Sequence, residues 1–104
     1  MSRIKTIPYQ RLQRESRCVV FTAGTEIVVF EVKGRLFAFD NACPHQGMPL
    51  EDGLLDPESG TLTCLYHQWC FGLTDGCGRD NSSKLKAYAA SVEDGYVWIE
   101  TGNS

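Results

Sequence analysis

Two short arms of this chain each pair a thiol with an imidazole: Cys43-Pro44-His45 and, after eighteen intervening residues, Cys64-Leu65-Tyr66-His67. A tetrahedral zinc ion accepts two Cys and two His, but the usual finger order puts both Cys first and both His later, whereas here each arm holds one of each. The alternation suits a mixed-ligand [2Fe–2S] centre, in which one iron takes both thiolates and the other both imidazoles. Exchanging two anionic thiolates for neutral imidazoles removes negative charge, so the reduced state costs less and the potential rises. Pro and Gly around both arms allow two loops to converge on one inorganic centre.

At these residues the chain resembles the Rieske family, whose pattern is Cys-x-His, a gap, then Cys-x-x-His. The stretch Cys43-Pro44-His45-Gln46-Gly47-Met48-Pro49-Leu50 looks like the first cluster loop of Rieske ferredoxins and ring-hydroxylating oxygenases. Cys64-Leu65-Tyr66-His67-Gln68-Trp69-Cys70-Phe71 looks like the second, and Asp75-Gly76 and Val92 to Val97 are similar to a later hairpin and the final strand. The resemblance implies a Rieske-type [2Fe–2S] cofactor, with Cys43 and Cys64 on an inner iron and His45 and His67 on an outer iron near the surface. It also implies that electrons leave through the imidazoles and that the potential falls as pH rises through the alkaline range. Met48 and Tyr66 stand where respiratory relatives carry a disulfide, and Gln68 and Trp69 follow His67 where those relatives place a Ser. The expected potential therefore lies toward the lower end of the Rieske range of about −150 to +300 mV.

Length and composition agree with the small electron carrier that the resemblance implies. The 104 residues fit one domain, expected over 1–104, small enough for a bound metal centre to add materially to its stability. A net charge of −3 argues against general nucleic-acid binding. No apolar run reaches the roughly 18 residues needed to cross a bilayer. The opening lacks a secretory pattern, and five Cys, two of them assigned to iron, leave an odd set of Cys18, Cys70 and Cys77. A reducing, cytoplasmic setting is the expectation, with Cys18 a small buried strand residue and Cys70 and Cys77 free thiols on either side of a turn.

The elements that must position these arms are β-strands. Arg17 to Thr22, Glu26 to Lys33, Arg35 to Asp40, Thr61 to Leu65, Trp69 to Thr74, Leu85 to Val92 and Tyr96 to Glu100 are rich in Val, Ile, Phe, Thr, Tyr and Trp. Ala23-Gly24, Lys33-Gly34, Asp75-Gly76 and Asp94-Gly95 supply the positive φ of tight hairpins. No run shows helical periodicity over three turns. An all-β sandwich or partial barrel follows. The resemblance sharpens it to stacked antiparallel sheets with a small cluster-binding subdomain of two loops, about 43–50 and 64–71. Gly47 and Pro44 are expected to shape the first loop, Trp69 and Phe71 to pack beneath the second, and Met48 and Leu50 to form an apolar rim. Glu51, Asp52, Asp56 and Glu58 are solvated loop charges or an acidic face that steers a basic partner. The basic opening, Arg3 to Arg17, is surface or a subunit contact.

The leading functional expectation is a Rieske ferredoxin that carries single electrons from a flavoprotein reductase to a terminal oxygenase. The alternatives are the small subunit of a nitrite reductase or other multi-subunit oxidoreductase, and a structural zinc module. Catalysis by the chain itself is not expected: a mononuclear iron oxygenase site uses two His and a carboxylate, and both His of this sequence belong to the cluster arms.

Overall fold

The computed structural model describes residues 3–22, 24–42, 50–64, 70–74, 76, 78 and 84–100. Nine strands and one short helix are defined there: β1 (Arg3–Pro8), α1 (Tyr9–Glu15), β2 (Arg17–Thr22), β3 (Thr25–Val32), β4 (Arg35–Asp40), β5 (Leu54–Asp56), β6 (Thr61–Thr63), β7 (Cys70–Gly72), β8 (Ala87–Glu93) and β9 (Tyr96–Glu100). Every pairing between them is antiparallel. Six strands form one sheet in the order β1-β9-β8-β4-β3-β2, and β5-β6-β7 form a second. Within the large sheet, β8 and β4 are joined through only two residue pairs, Ala38 with Tyr88 and Phe39 with Ala87. Two three-stranded ribbons thus meet at a narrow seam, and the outer strands β1 and β2 face each other across a groove, which leaves a barrel nearly closed.

Turn chemistry accounts for the hairpins. Lys33 and Gly34 have φ of 52° and 82°, and Asp94 and Gly95 have 54° and 79°. Val32 pairs with Arg35 and Glu93 with Tyr96 across these two-residue turns, and positive φ at both central residues is what matches the right-handed twist of the flanking strands.

Strand β3 shows why its apolar run is continuous rather than alternating. Ile27 and Val29 face the barrel interior with Leu12, Cys18, Val20, Ala38, Val97 and Ile99. Val28, Phe30 and Val32 face the opposite way, into a second core with Phe39, Leu50, Leu62, Cys64, Phe71 and Leu73. A strand covered on both faces has no solvent side to make polar. The second core cements the small sheet to the barrel, and Phe30, Phe39 and Phe71 are fully buried in it. Each such side chain is worth about 1.5–3 kcal/mol of burial.

Two parts of the chain differ from the expectation. The opening is not loose surface: Arg3–Pro8 is strand β1, paired with β9, and Tyr9–Glu15 is helix α1. The helix is seven residues long with one buried side chain, Leu12, too short to leave a periodic signature. It stops at Ser16, whose φ of 70° turns the chain and whose N–H donates to the Leu12 carbonyl. Strand β5 was also not expected; its three residues, Leu-Leu-Asp, pair with β6 in an exposed–intermediate–exposed pattern.

Candidate metal centre

The register of the small sheet brings together the described residues that flank the two ligand arms. Leu54 of β5 pairs with Thr63 of β6, and Thr63 pairs with Cys70 of β7. The start of β5, the end of β6 and the start of β7 therefore share one end of the sheet. In the sequence the first arm precedes β5 and the second lies between β6 and β7, and their described neighbours Leu50, Cys64 and Cys70 lie at that end. This is the juxtaposition that spacing alone cannot state.

Three contacts anchor the first arm as it leaves. Asn41, one residue past β4, accepts hydrogen bonds at Oδ1 from the amides of Leu50 (2.8 Å) and Glu51 (2.9 Å). Arg17 of β2 donates from Nη1 to the carbonyls of Glu51 and Gly53, both at 2.7 Å, and its guanidinium lies 5.1 Å from the Phe30 ring centroid. Gly53 is buried so tightly against β6 that a Cβ there would come 2.8 Å from Leu62 Cδ1, 2.9 Å from the Thr63 carbonyl oxygen and 3.0 Å from that of Leu50. Two of those neighbours are backbone and cannot move aside. Sequence reasoning passed over Asn41, Arg17 and Gly53; the visible signals were an Asn just ahead of the first arm and a Gly just behind it.

Of the four expected ligands, Cys64 lies among the described residues, directly after β6, with its side chain fully buried against the second core. Cys43, His45 and His67 lie outside the described residues, as do Pro44, Gly47, Met48, Pro49, Trp69 and Cys77. Phe71 is core, as expected. Leu50 is not part of a rim: it is fully buried, because the Asn41 and Gly53 contacts draw it under the arm. The exposed apolar residue at this end is Leu54, at 60%.

The remaining thiols and charges have local explanations. Cys18, Cys64 and Cys70 are free. Burial, and then its hydrogen bond to Glu15, pushes the Cys18 thiol up from its ordinary range, which makes it unreactive. Glu51 is held by Asn41, and Asp56 caps the β5–β6 turn by accepting from the amides of Glu58 and Ser59. Hydrogen bonds from Ser59, then from Glu58, hold the Asp56 carboxyl below the usual carboxylate range. Glu58 lies 4.0 Å from Lys33. Among the described residues, no three Cys, His, Asp or Glu side chains gather as a rival metal cage.

A family model described as "Rieske [2Fe-2S] domain" matches residues 2–89. The ferredoxin component of the alkene monooxygenase system of Xanthobacter autotrophicus is 37% identical over 84 residues, covering 79% of this chain and 68% of that protein. The 4beta-methylsterol monooxygenase of Methylococcus capsulatus is 30% identical over 95 residues, covering 77% of this chain but 24% of that protein. Among solved structures, the ferredoxin of carbazole 1,9a-dioxygenase from Nocardioides aromaticivorans superposes with a TM-score of 0.81 at 19% identity, over 95% of this chain and 97% of that one. A chain described as a nitrite reductase small subunit gives 0.83 at 16% identity, over 97% and 100%. At these identities the two structures speak for the fold alone.

The described residues fit a Rieske-type [2Fe–2S] cluster. Cys64 offers a sulfur donor out of solvent at a strand end. The register brings Cys64 beside Leu50 and Gly53, which follow the first arm, and the sequence's donor set of two Cys and two His is the one this cluster uses.

Proposed function

This chain belongs to the Rieske [2Fe-2S] domain family, and from that membership we propose that it is a one-electron carrier whose cluster is held by Cys43, His45, Cys64 and His67. The observation that supports the reading is the shared end of β5, β6 and β7, where Leu50, a buried Cys64 and Cys70, the described neighbours of the two arms, lie together. When bound, the group supplies reversible one-electron reduction at a potential raised by its two neutral imidazole ligands. The chain's own residues hold and shield it. Cys64, Leu50 and Phe71 form the dry floor, and the small sheet fastens that floor to the barrel through Phe30 and Phe39. In a low-dielectric setting the charge on the cluster is felt strongly, so the hydrogen bonds around the arms tune the potential.

The partners proposed are a flavoprotein reductase as donor and a terminal oxygenase as acceptor, by analogy with the alkene monooxygenase ferredoxin component, of which this chain covers the larger part. Electron transfer rather than catalysis fits a sequence with two His, both in the cluster arms. A second reading is the small subunit of a nitrite reductase, favoured by end-to-end superposition on one such chain. Free thiols at Cys18 and Cys70, the described Cys outside the ligand set, support a reducing, cytoplasmic location. Among the described residues no helix is long and apolar enough to cross a membrane. We take 1–104 as one domain, because β1 pairs with β9 and so ties the two ends of the described chain.

The test is Mössbauer spectroscopy of anaerobically purified protein, with iron and sulfide analysis. About two irons per chain in unlike environments, one sulfur-rich and one nitrogen-rich, is the expected result. Two equivalent tetrathiolate irons, or a colourless protein holding one zinc, would overturn the ligand set. Electron transfer to a purified oxygenase, or to a sirohaem enzyme, then separates the two partner readings.

A further inference from the structure

Asn41 is the buried polar side chain among the described residues, 6% exposed, and its amide is fully used. Oδ1 accepts from the Leu50 and Glu51 amides, while Nδ2 donates to Glu26 Oε1 (3.1 Å) and Glu51 Oε1 (2.9 Å). Its own backbone N–H donates to the Glu26 carbonyl at 2.9 Å. A side-chain amide has two acceptor lone pairs and two donor hydrogens, so nothing is left over. The two bonds from Oδ1 span nine and ten residues, which separates them from the short bonds an Asn makes to cap its own turn. They close a loop, and that loop contains Cys43 and His45.

Glu51 is the counterpart. Its N–H goes to Asn41 Oδ1, its carboxylate to Asn41 Nδ2, and its carbonyl to Arg17. Arg17 belongs to β2, Glu26 to β3, and Asn41 follows β4. Leu50, Glu51 and Gly53 are thus held directly by Arg17 of β2 and by Asn41 at the end of β4, and Glu26 of β3 holds Asn41 in turn.

We propose that Asn41 is a positioning residue of the cluster site: by tying Leu50 and Glu51 to the end of β4, it fixes the residues on either side of the stretch that carries Cys43 and His45. The proposal rests on the ligand set given above. It requires an amide at position 41. An Asp there keeps the acceptors for Leu50 and Glu51 but loses both donors and sets a third carboxylate against Glu26 and Glu51. Changing Glu51 to Gln then restores a donor, so the polarity of the pair is swapped and the clamp is remade.

The experiment compares wild type, N41D, E51Q and N41D/E51Q as purified, cluster-bearing proteins at one fixed pH. Three quantities are read: decay of the cluster absorption under an iron chelator, the electron paramagnetic resonance g values of the reduced state, and the far-ultraviolet sheet signal. N41D should lose its cluster about tenfold faster or more, the scale on which such supporting contacts act, with shifted g values and an intact sheet signal. E51Q should resemble wild type, because Gln Oε1 still accepts from Asn41, and N41D/E51Q should recover most of the loss. Wild-type decay and g values in N41D, or a double variant no better than N41D, would overturn the proposal. So would loss of the sheet signal in N41D, since Asn41 would then serve the barrel rather than the arm. A tetrathiolate or zinc-bearing wild type defeats the ligand set itself, whereas a mixed-ligand wild type beside an unaffected N41D defeats this proposal alone.

Discussion

Gly53 shows how much a single missing atom matters to this site. With Leu62, Thr63 and Leu50 all within 3.0 Å of where its Cβ would stand, Gly53→Ala forces the arm's exit away from β6. Overpacking of this kind costs about 1–3 kcal/mol. The expected result is a lowered thermal midpoint together with reduced iron content per chain. A full complement of iron at unchanged stability would show that the arm has slack. A second residue-scale prediction concerns Tyr88. Burial, followed by its hydrogen bond to Asp40 and the charge there, pushes the phenol up to about 12. The unfolded phenol titrates near 10, so below that pH both states hold the proton and the contribution is fully present. Between about 10 and 12 the unfolded chain releases its proton first, and stability falls as pH rises. Two pH units correspond to about 2.7 kcal/mol, which partial exposure cuts to about 1–2. Urea titrations at pH 9 and 12 should show that loss in the wild type and a smaller one in Tyr88→Phe.

The elements divide by how they are stabilised. β2, β3 and β4 carry their own turn chemistry and apolar runs, and they were legible because local pattern and tertiary role agree. α1, β1 and β5 were not. Helix α1 has one fully buried side chain, Leu12, in the core with Cys18, Ile27 and Val29, with Tyr9 packed against that core, and seven residues make no stable helix by themselves. Leu12→Ala should cost about 2–5 kcal/mol and free α1 from the barrel end, measured as a lower urea midpoint and faster amide exchange at residues 9–15. Cluster properties should stay unchanged, because Leu12 belongs to the barrel core and Cys64 to the other. Arg17 links the two units instead. Arg17→Met keeps a side chain over Phe30 but removes both donors to Glu51 and Gly53, which should cost about 1–3 kcal/mol and speed cluster loss, read by chelator challenge.

At the scale of the whole molecule, a barrel with its own core carries a small sheet that owes its place to a second core and to polar clamps. Exposed Leu54, with exposed Asp52 nearby, stands at the end of that sheet where β6 runs into Cys64, a small apolar spot with an acidic neighbour of the kind that suits transient docking of a basic redox partner. Raising ionic strength from 0.1 to 1 M shortens the screening length from about 10 to about 3 Å. The second-order rate of electron transfer to such a partner should fall accordingly, and a salt-independent rate would remove the steering role. The ligand types, their order in two arms and the β-rich frame were all present in the sequence, because metal chemistry depends on donor identity and strands on local alternation and turn residues. Which residues close the arms was not, for a physical reason. Asn41 meets Glu51, Arg17 meets Gly53 and Thr63 meets Cys70 through hydrogen bonds and strand register that join distant parts of the chain. Such partners are selected only when the barrel and the small sheet have packed, so the donors were written in the chain and the frame that flanks them was decided by the fold.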